Sequence, residues 1–277
     1  MRPSVFLCAA VLVSRSALGV DLSALEARTK PAVVHLSVTS GGREIGNGSG
    51  FFIRPDGWIV TNHHVIADAR ELTAKLSNGR EQIVTGVLAD DEKDDLAIIK
   101  IDGTGYPTLT LADPSTIKEG QEVAVIGSPH GLSFTLSSGN ISALRLDGKL
   151  PEHMHSESDF KRPLVQITAP IAPGSSGSPV FNFDGQVIGV AQSVIRGGGD
   201  LNFAVFVAPL IQLRDGISPQ VRPVPLAPSP LKNLLISAGV FAAIGGGWKA
   251  PGLFQRWRSR RRLRARALKA MKEAMKN

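Results

Sequence analysis

The chain has 277 residues, 43% apolar and 20% charged, an ordinary globular composition that excludes wholesale disorder and a polytopic membrane protein. One cysteine, Cys8, excludes an intramolecular disulfide and a cysteine zinc site. The net charge of +7 is uneven: residues 249–277 carry +10 and residues 1–19 carry +2, leaving −5 for residues 20–248. The basicity therefore belongs to a tail and not to a nucleic-acid-binding face.

Residues 1–19 read as a secretory signal. Arg2 supplies the positive start, Val5 to Val13 is an apolar run too short to span a bilayer, and Ala17-Leu18-Gly19 offers small residues for cleavage. Cleavage after Gly19 would remove Cys8.

From residue 31 to residue 215 the pattern is short β-rich runs punctuated by turns. They are 33–38, 50–53, 58–61, 96–101, 122–126, 139–144, 164–167, 187–192 and 203–207, with a Pro55-Asp56-Gly57 turn between the second and third. A short helix is expected within Val65 to Ala74. Runs this short and this regularly interrupted predict an all-β barrel or sandwich.

Ser218 to Pro230 holds five prolines (219, 223, 225, 228 and 230) and reads as a semi-rigid spacer. Asn233 to Trp248 is an uncharged run of 16 residues bracketed by Lys232 and Lys249. At about 1.5 Å per residue it is short for a bilayer core of about 30 Å. Leu231 and lysine snorkelling extend it, which gives 231–249 as the expected transmembrane helix. The tail 250–277 reads as a basic amphipathic helix suited to anionic lipid, with the C-terminus in the cytoplasm.

Three segments carry the chemistry. Thr61-Asn62-His63-His64-Val65 follows the run 58–61, Asp94-Asp95 precedes Leu96 to Ile101, and Gly174-Ser175-Ser176-Gly177 follows Pro173. Acyl transfer from an amide needs a hydroxyl beside a base, and a third group to orient that base. Two residues compete as base, His63 and His64. Asp95 is favoured over Asp90, Asp91 and Asp94, because it alone directly precedes an apolar strand; the others read as a solvated acidic turn. Gly-x-Ser-Gly spacing selects Ser176 over Ser175. Glycines beside the serine let the N–H groups of Gly174 and Ser176 converge on a developing oxyanion.

With these motifs the sequence resembles the trypsin-like serine proteases of the HtrA/Deg branch. The matching segments are GSGFFI at 48–53, TNHHV at 61–65, DDLAIIKI at 94–101, GSPHGLSFTLSSGNISAL at 127–144 and GSSGSPV at 174–180. The resemblance implies two six-stranded antiparallel β-barrels with the site between them, and it places the base before Val65, hence His64. Strand alternation would turn His63 to the opposite face from His64, at the surface or behind the site. The family usually has Asn at position 63 and Asn-Ser-Gly-Gly at 175–178. It also usually carries a peptide-binding PDZ domain, which is not expected in the residues after 217.

In such folds the residue six before the nucleophile, here Pro170, forms the pocket base. Gln192, Val194 and Phe203 form its edges. With no acid among them, a small or medium apolar side chain is expected before the scissile bond. The substrate is expected to pair as an extra strand near Val190 to Val194. His130 reads as a loop residue. His153 and His155 read as exposed loop residues, and no metal or cofactor is expected. The expected partners are unfolded or extended polypeptides and the membrane, with a homo-oligomer allowed and no nucleic acid. A catalytically silent peptide-binding adaptor or chaperone is the alternative.

Overall fold

A computed structural model describes residues 21–40, 42–132, 134–148, 162–192, 201–218 and 220–226. The expected signal 1–19, transmembrane helix 231–249 and basic tail 250–277 lie outside these residues, as do Val194, His153 and His155.

Twelve strands form two closed antiparallel barrels. The first contains β1 (Val33–Ser40), β2 (Arg43–Arg54), β3 (Trp58–Thr61), β4 (Glu71–Leu76), β5 (Glu81–Asp91) and β6 (Leu96–Ile101), in the spatial order β1-β2-β3-β6-β5-β4. The second contains β7 (Glu122–Gly127), β8 (Thr135–Arg145), β9 (Leu164–Ile167), β10 (Pro179–Asn182), β11 (Val187–Gln192) and β12 (Asn202–Phe206), in the order β10-β11-β12-β9-β8-β7.

The apolar runs explain how the barrels meet. Antiparallel strands with one wet face alternate polar and apolar residues. β3 is instead buried at all four positions, and five of the six residues of β6 are buried. One face of each strand fills the first barrel: Ile59 packs with Ala97, Ile99 and Ile101. The other face meets the second barrel: Trp58, Val60, Leu96 and Ile98 pack with Val187, Val190 and Val205. Closing a sheet removes its edges, and the second barrel buries the remaining apolar face. The result is a core in each barrel and a third apolar layer between them.

Among the described residues three α-helices trim this frame. α1 (Leu22–Thr29) is capped by the Asp21 carboxylate, which accepts from Ser23 N at 2.9 Å, and it docks Leu25 against Ala124, Ile126 and Phe181 of barrel two. α2 (His63–Ile66) is a single turn, and α3 (Val207–Asp215) follows β12. The helix expected within 65–74 is thus earlier and shorter. Residues 71–76 form β4 instead, with buried residues at alternate positions, the period of a strand and not of a helix.

Part of the proline-rich stretch is docked, which corrects its reading as a spacer from Ser218. Val224 and Val87 exchange both backbone hydrogen bonds at 2.8 Å, and Leu226 packs against the core of barrel one. Among the described residues, no helix is long and apolar enough to cross a membrane.

Candidate active site

The second predicted candidate, His64, lies in α2. Asn62 precedes the helix and its Nδ2 donates to the Asp95 carbonyl at 2.8 Å. Asp95 enters β6 from the 92–94 turn in a left-handed conformation, φ 54°. Its buried carboxylate accepts from the His64 backbone N–H at 3.0 Å, and His64 Nδ1 lies 3.0 and 2.9 Å from its two oxygens. A carboxylate accepts only, so Nδ1 carries the proton and Nε2 keeps its lone pair. That tautomer can receive a proton from a hydroxyl.

His63 turns elsewhere. Its Nδ1 lies 2.7 Å from Asp90 Oδ1. Strand alternation is not the reason the two imidazoles diverge, because both stand on a helix, where successive side chains are about 100° apart. His63 borders a cavity of about 590 Å³ with Ile66, Val87 and Leu226, and that cavity touches none of His64, Asp95 and Ser176.

The site cavity is smaller, about 310 Å³, and His64, Pro173, Gly174 and Ser176 all line it. The loop carrying Ser176 turns tightly: Ser175 N donates to Ala172 O at 2.9 Å and Ser178 N to Ser175 O at 3.0 Å. Gly174 (φ 95°) and Gly177 (φ 87°) flank the serine, and a Cβ at Gly177 would fall 2.0 Å from the Ser49 carbonyl. Only glycine fits both the torsion and the space.

Barrel one holds this loop of barrel two. Ser49 N donates to Ser176 O at 2.8 Å, and Ser49 Oγ donates to Gly174 O at 2.9 Å while accepting from Ser128 N at 3.0 Å. Thr61 Oγ1 donates to Ser49 O at 2.8 Å. On the other side His130 N donates to Pro173 O at 2.7 Å. Across a trans peptide the N–H points opposite to the C=O, so the Gly174 N–H points away from His130.

Of the acidic residues before Asp95, Asp90 and Glu92 are exposed as expected, while Asp91 and Asp94 are half-buried. Asp90 and Asp91 end β5, and Asp94 is half-buried, with Oδ1 shielded and without a hydrogen bond. Burial and then Asp91 push the Asp94 carboxyl above its ordinary range, while Lys93 and Arg162 pull it down.

Of the described residues expected to form the pocket, none lines the site cavity; Pro170 is exposed and its carbonyl accepts from Ser137 Oγ at 3.0 Å. Gln192 pairs with the buried Phe203 across β11 and β12. The expected edge for an added strand shortens. Val190 pairs with Pro179 on one side and Val205 on the other, and Ala191 is bonded to Ser178 and Gly177. β11 is interior there, so Val190 and Ala191 offer no free edge for an added strand.

Three participants were not singled out in the sequence: Ser49, the backbone of His130, and Arg162. Ser49 lies in a segment that marks the resemblance, but nothing about a serine announces a bond 125 residues away. His130 acts through an N–H that nearly every residue has.

Two closed six-stranded barrels, with a histidine–aspartate pair and a glycine-flanked serine opening onto one cavity, define a serine-hydrolase architecture. The family described as trypsin-like peptidase domain matches residues 48–190, and the chain belongs to that family. It is 44% identical over 161 residues to a probable periplasmic serine endoprotease, DegP-like, of Halomonas elongata, covering 57% of this chain and 32% of that protein. A protein of the same description from Pseudomonas fluorescens is 40% identical over the same shares. The chain thus spans about a third of the length of these curated relatives. Among solved structures, the HtrA-type protease AlgW with tripeptide is similar at a TM-score of 0.61 and 29% identity, covering 70% of this chain and 62% of that one. The serine endoprotease from Yersinia pestis is similar at 0.60 and 28%, covering 71% and 68%.

Proposed function

We propose that the chain is an exported serine endopeptidase of the HtrA/Deg type that cleaves unfolded or extended polypeptides. The observation that carries this is the Nδ1 pairing of His64 with the Asp95 carboxylate at 2.9 Å, on the same cavity as Ser176. Ser176 Oγ attacks the scissile carbonyl carbon while His64 Nε2 takes its proton. The N–H groups of Gly174 and Ser176 stabilise the oxyanion. His64 then gives the proton to the leaving amine, and water attacks the acyl-enzyme by the same route, freeing Ser176. Support for the Gly174 donor is the Pro173 carbonyl turned to His130.

Pro170, Gln192 and Phe203 bring no carboxylate, so a small or medium apolar side chain is favoured before the scissile bond, because a cation there would be desolvated without a partner. The signal 1–19 and the apolar run 231–249 favour a catalytic domain on the periplasmic side, anchored by one helix with its basic tail in the cytoplasm. The periplasmic description of the relatives agrees with that side.

One experiment tests activity and location together. Spheroplasts expressing the chain are treated with a membrane-impermeant fluorophosphonate probe. Wild type and His63→Ala should be labelled, while Ser176→Ala and His64→Ala should not. Absence of wild-type labelling after lysis would reject the enzyme reading in favour of a silent peptide-binding fold. Labelling only after lysis would reject the location.

A further inference from the structure

Arg162 belongs to none of the motifs above, yet it reaches the carboxylate beneath His64. It stands two residues before β9 on barrel two, next to Pro163, whose carbonyl accepts from Phe206 N at 2.9 Å. Its guanidinium faces barrel one, with Nη1 3.7 Å from Asp95 Oδ2, and both side chains are only 6% exposed. That oxygen is also 2.9 Å from His64 Nδ1. One buried carboxylate oxygen therefore lies between a guanidinium and an imidazole.

The surroundings explain why a cation stands there. Asp95 follows Asp90, Asp91, Glu92 and Asp94 in sequence, and Asp91 and Asp94 face the same guanidinium. Carboxylates this crowded resist sharing full charge. A buried arginine in turn needs carboxylates around it. Burial pulls Arg162 below its ordinary range, and Asp95, then Asp94 and Asp91, draw it back up.

We infer that Arg162 is a positioning residue: it fixes Asp95 from the opposite barrel and limits how strongly that carboxylate favours the protonated form of His64. This rests on the proposed role of Asp95. The sign follows from charge alone. A cation on the far side of Asp95 makes a second positive charge at His64 less favourable, so its removal makes His64 easier to protonate. The other charged groups near His64 are Asp68, which lines the same cavity, and the His63–Asp90 pair on the far side of α2. Lys93 acts through Asp94. All of them stay in place in the variants below.

The test uses the full chain and three variants, Arg162→Gln, Arg162→Met and Arg162→Lys. The His64 ring resonance, assigned by its loss in His64→Ala, is followed by NMR across the imidazole range, and kcat/KM is measured over the same pH values. In Gln and Met the NMR midpoint should rise by roughly half to one pH unit, and kcat/KM at neutral pH should fall roughly two- to threefold, approaching tenfold only on the acidic limb. The acidic limb of kcat/KM should move with the midpoint, and Lys should stay close to wild type. An unmoved midpoint in folded Gln and Met variants, with or without a lower Tm, overturns the proposal and leaves Arg162 a structural tie. Failure of the neutral variants to fold overturns it as well, since the cation would then serve the architecture. A wild-type chain without peptidase activity rejects the proposed function instead, and the NMR midpoint still decides for or against Arg162.

Discussion

His35 is a buried ionisable group that the proposed chemistry does not use. It sits on β1, paired with Ser49 of β2 and Lys75 of β4, and it is 8% exposed. Its Nδ1 is buried without a hydrogen bond, while Nε2 lies 3.4 Å from Ser37 Oγ. Burial pulls its protonation below the ordinary range; Glu44 and Glu81 oppose that shift and Lys75 adds to it. The folded chain therefore binds this proton less readily than the unfolded chain, which takes it up near pH 6.5. Stability is full above that pH and is lost as pH falls through it toward the lower folded-state value. Thermal melts at pH 8 and pH 5 should show a drop in Tm that is smaller in His35→Phe than in wild type. An equal drop in both would mean that His35 is not the group responsible. Other single residues divide sharply in how legible they are. Ser176 and Asp95 stand out through their neighbours in sequence. Arg162 does not, because what matters about it is the carboxylate it meets across the barrel boundary.

At the scale of elements, the β2 segment around Ser49 holds the serine loop. Its hydroxyl serves both the Gly174 carbonyl and the Ser128 N–H in a site closed to solvent. Ser49→Ala leaves these two without that partner, which costs about 1–3 kcal/mol. At roughly 2–4 °C per kcal/mol for a domain of this size, a Tm lower by several degrees is expected. Because the loop also positions Ser176, kcat should fall roughly tenfold, with fluorophosphonate labelling slowed alike. A stability loss with unchanged kcat would show that the loop keeps its shape without Ser49. Strands with continuous apolar runs, such as β3, β6 and β11, were readable from sequence, since burial on both faces leaves a single polar position in each, at or next to the strand's end. β4, β5 and β10 were not. β4 and β5 keep one face partly wet, so their patterns carry polar residues. β10 opens on a proline and ends on an asparagine, leaving only Val180 and Phe181 as an apolar run between turn-type residues.

For the molecule as a whole, the 221–226 strap returns the chain from α3 to barrel one. Gly86 makes room for it: a Cβ there would lie 2.5 Å from the Val224 carbonyl. Gly86→Val should lift the strap, break the paired bonds between Val87 and Val224, and expose the backbone around Arg222. Thermolysin should then cut before Val221 several-fold faster than in wild type, because cleavage follows the population of locally opened chain. Unchanged cleavage would show that the strap yields without leaving the barrel. The same contact keeps the chain docked as far as Leu226, past the composition change at Ser218.

The sequence by itself determined the β-rich class, the candidate serine, histidine and aspartate with their flanking glycines, and the family resemblance. All of these depend on residues within a few positions of one another, where periodicity and turn chemistry act. Tertiary structure alone decided the rest. His64 faces Asp95 while His63 faces Asp90, because both stand on one helical turn. The serine loop hangs from Ser49, Arg162 reaches Asp95 from the other barrel, and the proline-rich stretch docks at Val87. Each of these is a contact between residues far apart in the chain. Local propensity does not encode such contacts; they appear only when each barrel closes and the two pack together.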